Sequence, residues 1–221
     1  MNNSKKIIKL LGEKSVVKQE VFRICKQQFD CLKSVSSNFA AELQNQITDN
    51  HVKIEFSEKG DYEAHLKFSG DTLIFHMHSN TFTFDKSHNI WNSSYIKENP
   101  YRAYCGVINV YNFLSDSIKY NRENDLGFLI ARIFVNKDTH FFTEGNGKMS
   151  FLYNSIENSK LNKETFEHIL QELMLYAIDF ELQTPPLQEV QVVSVHQIQE
   201  LSKKMKLKTS KKLGYKFSNE K

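Results

Sequence analysis

Three groups of residues in this 221-residue chain have types and spacings that could do chemistry. The first is His65, His76 and His78, with Glu63 close by. Successive side chains of a strand point to opposite faces, so His76-Met77-His78 on a strand would present both imidazoles on one side. A third histidine across the ladder and a carboxylate would complete a set able to hold zinc or iron, or to serve as a base beside such a metal. The second group is Arg132, His140 and Glu144. An arginine inside the apolar run Phe128–Val135 needs an anionic partner. A three-residue loop at 136–138 would put all three side chains on one face, with Glu144 as a salt-bridge partner; a bound phosphate or carboxylate is the other candidate. Trp91, in the irregular stretch 86–101, is expected either to plug a core edge or to stack on a ligand near Arg132. The third group is the lysine-rich end: Lys203, Lys204, Lys206, Lys208, Lys211 and Lys212 suit contact with the phosphates of a nucleic acid or with an acidic protein.

Two short resemblances bear on these groups. Gly70, five residues, then His76-Met77-His78 resembles the opening of the first cupin motif, which would imply metal-ligating histidines. It covers nine residues; Ser79–Phe84 lacks the acidic ligand expected next, and the second cupin motif is absent. Residues 198–210 are similar to the first helix and turn of a helix-turn-helix, although Lys212 stands where an apolar residue is expected. The plainer readings are a solvent-facing polar side of a sheet and a lysine-rich solvated helix, and they are preferred because motifs out of context are usually accidental.

The elements that must position these residues can be read from periodicity. From Ser15 to about Thr48 apolar residues recur at spacings of three and four, which predicts a long amphipathic helix with Ser15 as its N-cap. His51–Phe56 reads as a first strand. Asp61–Asp85 alternates with period two and predicts a three-strand meander. A two-residue loop at Gly70-Asp71 would set Leu66 opposite Phe75 and His65 opposite His76. A second loop at Ser79-Asn80 would fold 81–85 back onto the middle strand. Tyr104–Leu114 reads as a strand covered on both faces, and Ser117–Asn121 as a further short one. Phe128–Val135, Thr139–Glu144 and a hairpin at Asn146-Gly147 form a second meander. Asn162 caps a buried helix over 163–183, ended by Thr184-Pro185-Pro186. A short strand is expected at Val190–Val193, and Ser194 would open a last helix.

The expected fold is therefore α+β: an antiparallel sheet of six to seven strands in two meanders, packed by the long N-terminal helix and the 163–183 helix. The expected organisation is a basic arm or short helix over 1–14, one α+β domain over 15–195, and a helix with a lysine-rich tail over 196–221. Charge follows the same division. Residues 1–14 hold four lysines and one glutamate and residues 201–221 eight lysines and one glutamate, leaving 17 basic against 24 acidic groups in between. No apolar run is long enough to cross a bilayer. Three cysteines and no paired-cysteine motif point to a reducing, cytoplasmic setting. No glycine-rich phosphate loop, nucleophile elbow or helical pair of metal-binding histidines occurs. The expected function is a non-catalytic binding or regulatory module with a protein or nucleic-acid partner and no cofactor. A metal-dependent enzyme or sensor using the histidine face, and a sensor of a small anionic ligand, are the alternatives.

Overall fold

The computed structural model describes residues 3–180, 186–196 and 198. The chain opens with a helical rod in three parts: α1 (Asn3–Leu10), a five-residue π-helical segment (Leu11–Ser15) and α2 (Val16–Gln46). The expected cap at Ser15 does not form. Its backbone is helical and its side chain makes no capping bond, because nothing between Leu10 and Val16 breaks the helix. The strands are β1 (Ile54–Glu58), β2 (Glu63–Phe68) and β3 (Asp71–Met77). The short helix α3 (Ser94–Glu98) interrupts the path to β4 (Cys105–Leu114), and α4 (Ser115–Lys119) the path to β5 (Phe128–Asn136). After β6 (Phe141–Gly145) come α5 (Lys163–Ile178) and α6 (Leu187–Val190).

The strands form one six-stranded sheet in sequence order with every neighbouring pair antiparallel. One continuous meander thus stands where two were expected. The predicted faces are right, but the β2–β3 register differs by two residues: Leu66 faces Leu73 and Ala64 faces Phe75. The turn sits at Ser69-Gly70, with Ser69 itself taking a positive φ of 53°, one residue earlier than a glycine-led turn would place it. A shift of two preserves side-chain direction, so the apolar face survives. Residues 81–85 do not fold back onto β3, because β4 occupies that edge. Phe82 instead bridges Cys105. Ser117–Asn121 is not a strand but falls partly in α4. The hairpin at Asn146-Gly147 is replaced by a 3-10 turn over Gly147–Ser150. The expected strand at Val190–Val193 is absent, its first residue ending α6. Ser194 does accept a bond from Ile198 N at 3.1 Å. The lysine-rich segment over 201–221, with Lys203, Lys204, Lys206, Lys208, Lys211 and Lys212, lies outside the described residues.

Two apolar clusters lie on the two sides of the sheet. On one side α2 contributes Cys25, Phe29, Leu32, Val35 and Ala40, and α5 contributes Phe166, Ile169, Leu170, Leu173 and Met174. They pack on Leu66, Leu73, Phe75, Ile108, Val110, Ile133 and Phe141. Asn162 caps α5 by accepting a bond from Thr165 N at 2.8 Å, which satisfies one of the free N–H groups of the first turn. Lys33, buried on α2, ties the helix to the β1–β2 hairpin by bonding Glu58 and the Gly60 carbonyl, each at 3.0 Å. The other cluster is smaller. Ile90, Ile96 and Ala103, from the segment between β3 and β4, cover Cys105, Val107, Phe134 and Phe142, with Ile156 beside them. Cys105–Ile108 is consequently buried on both faces, as its lack of alternation predicts, and alternation resumes at Asn109. Among the described residues, no helix is long and apolar enough to cross a membrane.

The α2–β4 contact is close enough to require a glycine. A Cβ on Gly106 would lie 2.6 Å from both the Cβ and the Sγ of Cys25. Gly106→Ala is therefore expected to lower stability by about 1–3 kcal/mol through overpacking, read as a lower urea midpoint with an unchanged slope.

Candidate functional site

A polar row crosses the sheet from β2 to β6. Glu63 stands opposite His76, His76 opposite Asn109, Asn109 opposite Arg132, and Arg132 opposite Glu144. Period-two alternation on five strands aligns these five residues on the side away from α2 and α5. Arg132 and Glu144 form the expected ion pair, and the guanidinium lies 5.3 Å from the centre of the Phe134 ring. Glu144 also faces His88, with Nε2 to Oε1 at 3.5 Å. His140 shares the face by alternation but does not join the pair. Its Nδ1 donates to the Ile156 carbonyl at 2.8 Å, and its ring stacks on Tyr95 at 4.4 Å.

The four residues expected as metal ligands are not brought together. His65 lies opposite Ile74, one row away from His76, and bonds Glu63 with Nε2 to Oε1 at 2.7 Å. His78 lies beyond the end of β3, where its Nδ1 accepts from Asn80 N at 3.0 Å and its ring meets Phe82 edge-on at 4.8 Å. Among the described residues, no group of three His, Cys, Asp or Glu side chains could hold a metal ion. The two-residue shift in the β2–β3 register is the physical cause: it places Glu63, rather than His65, across from His76.

Beside the polar row lies an open groove of about 980 Å³. Val107, Phe134, Phe142 and Phe84 supply its apolar surface. The Phe134 and Phe142 rings stack at 4.9 Å, and Phe84 packs against them at 5.2 and 5.4 Å. Asn109, Arg132, Glu144, His78 and His88 supply the polar wall. Trp91 does not line it; its indole N–H donates to the Asp85 carbonyl at 2.9 Å, and its ring packs on the smaller apolar cluster as a plug. Sequence reasoning missed Phe84, His88, Asn109 and Phe142 as groove residues. His88 had a local signal: it precedes a turn, and its Nδ1 accepts from Ile90 N at 3.2 Å, an N-cap bond.

The rim is held by a buried network. Asn136, fully buried, uses both ends of its amide. Its oxygen accepts from Asp138 N at 3.0 Å and His140 N at 3.1 Å, closing the β5–β6 turn. Its nitrogen donates to Tyr95 Oη at 3.1 Å and to the Arg102 carbonyl at 3.2 Å, fixing the segment that covers Phe134. Tyr95 in turn donates to Asp138 at 2.8 Å. Burial pushes the Tyr95 hydroxyl up to about 12, so it remains a donor at neutral pH. At the start of the same helix α3, Ser94 and Ser93 both donate to Glu157, and these bonds hold its carboxyl below the usual range.

Two of the thiols and two of the imidazoles have structural roles. Burial pushes the Cys25 thiol up to about 12 and the Cys105 thiol still higher, so both are neutral core groups. The Nδ1 atoms of His78 and His88 already accept backbone N–H groups, which leaves Nε2 as the protonated nitrogen of the neutral ring. What the arrangement can do is hold a flat molecule against aromatic rings and hydrogen-bond its edge. Compared with known proteins, the chain matches no family model, no curated protein and no solved structure.

Groove and scaffold residues should separate by stability. Arg132 is nearly half exposed, so Arg132→Ala and Glu144→Gln are each expected to change stability by no more than about 1 kcal/mol. Asn136→Ala strands several buried partners and is expected to cost about 3 kcal/mol. Chemical denaturation of the three variants measures the difference.

Proposed function

We propose that the protein is a non-catalytic binding or regulatory module whose ligand lies in the groove on the open side of the sheet. The observation that carries this reading is the groove itself, about 980 Å³ with an aromatic floor and convergent polar groups, at the upper end of the size range of small-molecule sites. The lining holds three carboxylates, Asp85, Glu144 and Glu157, against the one guanidinium of Arg132. Arg132 is already compensated by Glu144. That balance favours a flat, neutral or singly cationic organic ligand over an anionic one, with its ring against Phe84 and its edge near His78 and Asn109. A non-catalytic role is supported by the structural duties of the histidines and by the buried thiols. A reducing, cytoplasmic setting fits three unpaired cysteines. The lysine-rich segment over 201–221 is a second contact in this reading, suited to nucleic acid or an acidic partner by its eight lysines against one glutamate.

The test is a thermal-shift and calorimetric screen with matched neutral, cationic and anionic heteroaromatic compounds. Neutral or cationic members are expected to raise the melting temperature, and Phe84→Ala to weaken them by about tenfold through lost stacking area. Glu144→Gln removes one carboxylate and frees Arg132, so it should move the preference toward anionic members by about tenfold. Absence of any stabilising compound, or stabilisation that Phe84→Ala leaves intact, rules out the groove as the binding site.

A further inference from the structure

The N-terminal rod carries an apolar face that the body does not use. At 100° per residue, positions 18 apart lie in phase, so periodicity alone would continue the buried Cys25–Phe29 stripe of α2 through Ile7 and Leu11. The π-helical segment over Leu11–Ser15 interrupts that phase, because its wider turn rotates α1 relative to α2. No residue of α1 is buried, and the first buried residue of the rod is Val21. Ile7, Ile8, Leu10 and Leu11 are exposed at 55%, 69%, 47% and 57%. They occupy one side of the helix wheel, and Lys5, Lys6 and Lys9 occupy the other. Lys9 reaches Glu13, the one acidic residue of this stretch, at 4.0 Å, and Lys14 lies over the Tyr104 ring at 5.9 Å. Polar anchors at Glu13–Tyr101 and Thr81–Lys18 hold the base of the rod to the body, so α1 is carried out from it at a fixed place.

We propose that α1, together with Leu11 at the start of the π-helical segment, is a docking element for an anionic lipid surface, lying in the plane of the membrane with Ile7, Ile8, Leu10 and Leu11 in the acyl boundary. Segregation of aliphatic side chains from lysines over two helical turns is the pattern of such helices, and the lysines supply the charge complement for acidic headgroups. A protein groove is a poorer match, since the face lacks the Trp, Tyr or Arg anchors that dominate protein interfaces. A second copy of the chain is poorer still, because two turns of helix bury far less area than a stable dimer needs.

Co-sedimentation of the full chain with vesicles tests this directly. Phosphatidylcholine vesicles containing about 30% phosphatidylserine are expected to carry the protein down, vesicles of phosphatidylcholine alone are not, and added salt should weaken binding through screening. Ile7→Glu with Leu11→Glu should reduce partitioning by at least about tenfold, and Lys5→Gln with Lys6→Gln and Lys9→Gln should flatten the salt dependence. All five positions are exposed, and an unchanged circular dichroism spectrum and melting temperature confirm that the body is intact. Absence of vesicle binding overturns the proposal. So does binding that survives Ile7→Glu/Leu11→Glu but is lost on removing residues 201–221, which would assign it to the lysine-rich segment. A concentration-dependent doubling of mass that Ile7→Glu/Leu11→Glu abolishes, without vesicle binding, overturns it in favour of a second copy. None of these readouts involves the groove.

Discussion

Asn136 connects the two halves of the architecture on the open side of the sheet. Its carbonyl closes the β5–β6 turn, and its amide nitrogen fixes the segment that crosses over Phe134 and Phe142. Each group of this side chain is used, and the side chain is fully buried. A buried polar network is stabilising only when complete, since an unsatisfied member keeps its full desolvation cost. The turn and the cover therefore meet at one hydroxyl: Tyr95 donates to Asp138 and accepts from Asn136. The segment that covers Phe134 and Phe142 is held in place by this arrangement.

The two sides of the sheet are closed by different means. On the helical side α2 and α5 bring long apolar stripes that need no specific partner, and the cluster is large. On the other side the chain between β3 and β4 offers only Ile90, Ile96 and Ala103, with half-buried Phe84, Trp91 and Tyr95 around them. That supply covers one end of the strands and stops at Asn109, where the polar row begins. The groove is thus the edge of an incomplete apolar layer. Its aromatic floor is the last covered row, Val107–Phe134–Phe142, and its wall is the first uncovered one, Asn109–Arg132–Glu144. The Arg132–Glu144 pair suits that boundary, since a charge left single against apolar surface would be costly.

How much of this could be read from the sequence depended on the range over which each feature is encoded. Side-chain direction is local, so alternation in 61–77 and 128–144 gave the correct faces and placed Arg132 with Glu144. Pairing is not local. Residues 81–85 alternate like a strand, but their expected place beside β3 goes to β4, which returns after a long excursion. Turn chemistry misled in two places. Ser69 rather than Gly70 adopts the positive φ, and Gly147, at φ 58°, leads into a 3-10 turn instead of a hairpin. The groove was invisible for the same reason as the β3–β4 pairing. Its lining comes from 78–93, 107–109, 132–144 and 150–157, and no single stretch carries its pattern.

The histidines show how structure alters the meaning of a residue type. In the sequence, three imidazoles near a carboxylate suggest a metal. In the fold they are separated: His65 bonds Glu63, His78 accepts from Asn80 N, and His76 lies between Glu63 and Asn109 in the polar row. His78 and His88 reach a common end by the same route: each accepts a backbone N–H two residues onward through Nδ1. A ring anchored in this way has its neutral tautomer chosen by the backbone, with Nε2 bearing the proton. Such a nitrogen is a hydrogen-bond donor. In the proposed reading the groove therefore recognises acceptors on the edge of a flat molecule, with His78 the donor still free of a carboxylate and His88 held toward Glu144. The backbone bonds that anchor these two imidazoles leave each with a donor held in a fixed direction, which suits that reading.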